Sequence, residues 1–250
     1  MVKLSEWQRG VCFTPPSDEE MRMYLWFYEW HLFDAVDPGQ HTPGPHEPNI
    51  EVSSDGSKAT LTHPGRVIDV TAREDGADLT FTVTNESDRA WPDIAGLIPC
   101  FNPGGSSDTE IVQPNPRMFD DAHERTWFVG AGGLENLVRR DIHFNSDLRE
   151  TIDAEANDGN EFAFTRKWPT SHHNAEAGLI LRESTDLEWV AGIAWDRFVS
   201  AQGHNPWRCM HLATKIGPLA PGESTTLKGR IYLFGGTAAA AYRRFREEFS

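Results

Sequence analysis

The chain has 250 residues, 38% hydrophobic and 11% aromatic, which suits one large all-β domain or two small ones and excludes bulk disorder. Its formal charge of −15 is offset by no basic stripe, so nucleic acid is excluded as a partner and a strongly anionic polymer is disfavoured. Cys12, Cys100 and Cys209 form no CxxC pair, which removes zinc-ribbon and thioredoxin readings and leaves free buried thiols in a reducing compartment.

Met1 to Phe13 carries no sustained apolar stretch, and nowhere do 18 apolar residues run together. A cytoplasmic protein without a membrane partner is expected. Ser17-Asp18-Glu19-Glu20 offers a capping box, and it predicts a helix over Met21 to Val36. That stretch is apolar nearly all round, so such a helix must be buried. Residues 1–48 then read as a helical and loop extension packed on the main body, with His41 and His46 in the Pro/Gly loop from Asp37 to His46.

From Ile50 the apolar period changes to two. Strands are expected at about 50–54, 58–63, 66–73 and 78–84, where Leu79, Phe81 and Val83 alternate with threonines. Ile94 to Phe101 continues the pattern, and an excursion from Asn102 to Thr126 follows. Further strands are expected at 127–129, 134–144, 162–168, 178–183, 189–199, 211–216 and 225–234; residues 150–160 are acidic and polar, with a solvated turn at Asn157 to Asn160. Thr237 caps a C-terminal helix, residues 237–250. The expected fold is all-β: a single antiparallel β-sandwich domain over 1–250 with an N-terminal and a C-terminal helix.

The run Leu79 to Asp88 ends a strand in Val-Thr-Asn85 and leads through Trp91-Pro92 to Ile98-Pro99-Cys100-Phe101. It resembles the strand–turn–strand of galactose-mutarotase-like, aldose-epimerase-type β-supersandwich proteins, as does Gly217 to Ser224 before the last strand. The resemblance covers roughly a quarter of the chain. It implies a supersandwich and a sugar-related function. Where that family places a histidine before proline, this chain has Ile98, and no counterpart of the family's C-terminal catalytic glutamate stands out.

Three polar clusters fall at strand ends. Asp141, His143 and Asn145 alternate with Ile142 and Phe144, which puts the polar three on one face. Trp168 to Asn174 holds the adjacent His172 and His173, and Arg182 and Glu183 follow on the next strand. The densest stretch is Gln202 to His211. There Trp207 offers a flat apolar surface, while Gln202, Asn205 and Arg208 offer directed hydrogen bonds suited to a hydroxylated ring.

These residues give a catalytic set of His172, His211, Glu183 and Arg208, with an imidazole as general base. His143, Asn145, Trp168, Arg182, Gln202, Asn205 and Trp207 complete a binding set. The expected function is a carbohydrate-active protein that takes a sugar or oligosaccharide, epimerase- or lyase-like, with no cofactor. One alternative is a zinc-type hydrolase or lyase whose divalent metal is held by His172, His204 and His211. Another is a non-catalytic carbohydrate-binding domain. No nucleophile elbow, P-loop or GxGxxG motif occurs.

Overall fold

Alternating apolar and polar residues carry most of the chain into two antiparallel sheets. The computed structural model describes residues 1–32, 48–104, 115, 117–118, 123–137, 141–157, 169–202 and 208–249, with the side chains of 27–32 and 155–157 outside that description. The strand expected at 162–168 and the loop histidines His41 and His46 therefore lie outside the described residues.

The first sheet holds β1 (Lys3–Trp7), β2 (Gly10–Thr14), β3 (Met23–Leu32), β8 (Gly96–Asn102), β11 (His143–Phe144), β14 (Phe198–Gln202) and β15 (Met210–Lys215). Their spatial order is β1-β2-β3-β8-β15-β14-β11. The second sheet holds β4 (Asn49–Val52), β5 (Lys58–His63), β6 (Arg66–Arg73), β7 (Gly76–Thr84), β9 (Thr126–Gly130), β10 (Gly133–Asn136), β12 (Ala177–Glu183), β13 (Trp189–Trp195) and β16 (Ser224–Gly235). Its order is β10-β9-β12-β13-β16-β7-β6-β5-β4.

One core fills the space between the sheets. Phe13, Met23, Leu25, Phe101, Met210 and Leu212 from the first sheet share it with Leu61, Ile68, Phe81, Ile180 and Ile231 from the second. This is a sandwich in which each strand sends alternate residues inward. Gly76 lets β16 run close by, because a Cβ there would sit 1.8 Å from the Ile231 carbonyl oxygen.

The expected N-terminal helix is not formed: Met23–Leu32 is strand β3. Met23 and Leu25 enter the inter-sheet core, whereas Tyr24 and Trp26 are buried on the sheet's other face. A strand covered on both faces reads as a continuous apolar run, which periodicity alone cannot tell from a buried helix. With β1 and β2, the N-terminal residues supply three strands of the sheet rather than a helical extension.

A helix also forms in the acidic, polar stretch where no element is expected, while the solvated turn expected at Asn157 to Asn160 lies outside the described residues from 158 on. After a 3-10 turn at Ser146–Leu148, α1 spans Arg149–Asn157. Leu148 and Ile152 pack on Ile98, Val199 and Ala213, covering one half of the first sheet's outer face. The C-terminal helix α2, Ala238–Glu248, matches expectation, with the Thr237 hydroxyl accepting from the Ala240 N–H. Its Ala238, Ala241 and Phe245 dock on Leu179, Leu181 and Val190 of the second sheet's outer face. Burial of a side chain such as Phe245 contributes about 1.5–3 kcal/mol. Among the described residues, no helix is long and apolar enough to cross a membrane.

Candidate functional site

The other half of the first sheet's outer face carries the chemistry. Register aligns Gly10, Trp26, Cys100, His211 and Gln202 in one lateral row across β2, β3, β8, β15 and β14. Residues directly opposite in antiparallel strands share a face, so these side chains stand beside one another. Met210 and Leu212 point to the inter-sheet core, which sends His211 to the opposite side, as strand alternation predicts. His211 is 3% exposed, and its Nδ1 lies 3.3 Å from Oε1 of the fully buried Gln202. With that oxygen accepting, Nδ1 carries the proton and Nε2 is the basic nitrogen. Tyr24, Trp26 and Cys12 cluster with Cys100 and Cys209 on the same face, and Trp7 packs against them. Trp7 tilts over Tyr24 and Trp26, with ring centroids 4.8 and 5.4 Å away.

The cysteines of this group are buried thiols outside any disulfide, as expected, though the sequence did not place them in the site. Cys209 and His211 are two apart on an extended chain, so they share a face, and β8 brings Cys100 alongside. One donor atom from each of Cys100, Cys209 and His211 can be chosen so that all lie within 4.8 Å of one another. Asn102 closes the group: its Nδ2 donates to Cys209 Sγ at 3.4 Å, while its Oδ1 accepts from the Gly104 N–H. Burial pushes the Cys209 thiol up. Hydrogen bonds from Cys100 and His211, the imidazole's charge and the Asn102 amide outweigh it and bring the thiol below the ordinary cysteine range. The signal available in sequence was the Cys-x-His spacing at 209 and 211. The pairing with Cys100 depends on strand register and was not readable.

The other sequence candidates are dispersed. Arg182 is fully buried and points between the sheets, where Nε donates to Thr126 Oγ1 at 3.0 Å and Nη1 to the Arg208 carbonyl at 3.1 Å. Arg208 adopts a left-handed backbone, φ 59°, just before β15. Glu183 faces the other way from Arg182: its Oε1 accepts from the Ala238 N–H at the start of α2, and its Oε2 from Trp127 Nε1. Asn145 caps the 3-10 turn through the Asp147 N–H and donates to the Phe198 carbonyl.

His143 is buried on the inter-sheet side, 4.1 Å between ring centroids from Phe128, and its Nδ1 meets the His173 carbonyl at 3.0 Å. It therefore does not share a solvent-facing side with Asn145. His172 is exposed on the bend after Ser171, in a segment that runs beside β11 through bridges at Ile142–Thr170 and Asn145–Ala175. Three strand spacings, roughly 14 Å, thus separate that segment from β15. Cys100 and Cys209, not His172, are the donors beside His211. Trp168, His204, Asn205 and Trp207 lie outside the described residues.

No protein-family pattern matches the chain, and no curated protein matches it in sequence. Among solved structures it is similar to a galactose mutarotase-like protein from Lactobacillus casei, at 13% identity and a TM-score of 0.46, covering 93% of this chain and 97% of that one. A galactose mutarotase related enzyme from Lactobacillus acidophilus matches at 11% identity and a TM-score of 0.42, covering 95% and 99%. A polysaccharide lyase matches at 11% identity and a TM-score of 0.37, covering 94% of this chain and 33% of its own.

Proposed function

We propose that this chain is a carbohydrate-active protein, acting on a sugar or small oligosaccharide through proton transfer at the outer face of the first sheet. The observation that carries the reading is the His211 imidazole, oriented by Gln202 and set in a row with Trp26. A fixed tautomer leaves one basic nitrogen to take a proton from a bound ring and return it at a later stage. Aromatic faces beside an imidazole suit a hydroxylated ring with one apolar side, and the sequence resemblance to aldose-epimerase-type proteins supports the same substrate class. Arg208, at the entry to β15, is assigned to holding the developing oxyanion. Gln202 orients the imidazole, and Asn205 and Trp207 complete the ring contacts.

Residues 1–250 serve in this reading as one functional unit. Glu183, Asn145, Arg182 and His143 are assigned to positioning the framework, because each side chain is engaged with a backbone or side-chain partner outside the Gln202–His211 row. His172 belongs to a separate edge, on the segment beside β11.

The test is a panel of aldoses and short oligosaccharides followed by proton NMR, which reads anomer interconversion, epimer formation and the new double bond of an elimination product. At least one sugar should turn over faster than in buffer, and His211→Asn should lower that rate by about 100-fold or more. Unchanged turnover in His211→Asn would remove the imidazole from the mechanism. Binding without turnover across the panel would make the chain a carbohydrate-binding domain.

A further inference from the structure

Two thiols and an imidazole on one buried face form a donor set that proton transfer from His211 does not require. We propose that Cys100 Sγ, Cys209 Sγ and His211 Nε2 form a binding site for a thiophilic divalent cation of the zinc class. Around tetrahedral zinc, with bonds of about 2.3 Å to sulfur and 2.0 Å to nitrogen, neighbouring donor atoms stand roughly 3.5–3.8 Å apart. One donor atom from each residue can be chosen so that all three lie within 4.8 Å of one another, and side-chain rotation that brings them roughly 1 Å closer completes the set.

The surroundings fit an ion better than they fit three neutral groups. All three ligands are buried, and two thiolates with a neutral imidazole exactly balance a 2+ charge, so the occupied site places no net charge in a low-dielectric interior. Gln202 Oε1 accepts from His211 Nδ1, which fixes the tautomer that leaves Nε2 for a metal. Asn102 donates an N–H to Cys209 Sγ, the contact that supports a thiolate ligand. No carboxylate belongs to the set, which argues against calcium and magnesium, whose ligands are oxygens. Three protein ligands leave the fourth tetrahedral position for water or a substrate oxygen.

The site does not depend on the sugar reading. The two meet at one atom, because an ion and a proton exclude each other on His211 Nε2. Ion-loaded and ion-free chains are therefore chemically different forms of the same face.

The experiment uses the full chain, reduced and stripped of metal, titrated with Co2+ in the absence of any sugar. One equivalent should bind, with near-ultraviolet thiolate-to-cobalt charge transfer, and Zn2+ should displace it. Cys100→Ser and Cys209→Ser should each lose at least half of that band, whereas Cys12→Ser, in the same cluster but outside the three donors, should keep it. A wild-type chain without the band, or a band unchanged in both Cys100→Ser and Cys209→Ser, would overturn the site. X-ray absorption on the zinc-loaded wild-type chain reads the same point without any variant: two sulfur neighbours are expected, and a shell of nitrogen and oxygen alone would overturn it. A failure of sugar turnover leaves these readouts untouched.

Discussion

Gln202 and His211 face each other across β14 and β15, and the Gln202 amide oxygen receives the His211 Nδ1 proton in a fully buried contact. Removing the acceptor leaves a buried N–H donor without it, at a cost of about 1–3 kcal/mol. Gln202→Leu should therefore destabilise the chain by that amount, read as a lower urea midpoint with little change in slope. Gln202→Glu keeps an acceptor and should recover part of the loss. If Gln202→Leu unfolds at the wild-type midpoint, the contact does not fix the ring.

Glu183 supplies a second prediction, because its carboxylate sits at the N-terminus of α2 and not on the His211 face. It accepts from the Ala238 N–H at 2.8 Å and from Trp127 Nε1 at 3.2 Å. A carboxylate there satisfies an orphan helix donor and meets the positive end of the helix dipole. Glu183→Ala should cost about 1–2 kcal/mol in denaturant unfolding. It should leave the proton-transfer rate on any identified sugar unchanged. A large fall in turnover with unaltered stability would return Glu183 to the chemistry.

How far these contacts were legible in the sequence differs from element to element. β5, β6 and β7 could be read residue by residue, since one face is buried and the other wet and the alternation is clean. β3 could not, because Tyr24 and Trp26 are buried opposite Met23 and Leu25, which erases the period of two. α1 was hidden for the reverse reason: Ile152 is its one buried side chain among those described, too few to show a helical stripe. The outward direction of His211 followed from its own strand. The Cys100 partner did not, because it arrives through the pairing of β8 with β15, which local sequence does not encode. In the sequence Arg182 and Glu183 read as neighbouring binding and catalytic groups; in the folded chain one is buried between the sheets and the other caps a helix.

Arg182 gives a third prediction, which rests on its planar fork. Nε and Nη1 reach Thr126 Oγ1 and the Arg208 carbonyl at once, and a lysine ammonium on a flexible stem does not reproduce that pair. Arg182→Lys should destabilise the chain by about 2 kcal/mol although the charge is conserved, since hydrogen bonds to charged groups contribute roughly 1.5–3 kcal/mol each. Differential scanning calorimetry reads it as a lower Tm. A Tm equal to the wild type would mean that the fork contributes nothing beyond its charge.

His143 makes stability depend on pH. Burial pushes its pKa below the ordinary value of 6.5, and the hydrogen bond to the His173 carbonyl offsets only part of that shift. Nδ1 meets that carbonyl, and Nε2 is buried with no hydrogen-bond partner among the described residues, so a second proton has nowhere favourable to go. The unfolded chain takes up this proton as pH falls through about 6.5, while the folded chain resists until the lower native value. The contribution of His143 to stability is thus fully present above that unfolded value and is lost progressively as pH falls from it towards the native one. Urea unfolding between pH 7.5 and 5 should show the wild type losing stability on acidification more steeply than His143→Gln, which retains an amide donor for the His173 carbonyl and does not titrate. Parallel profiles for the two chains would show that the acid sensitivity arises elsewhere.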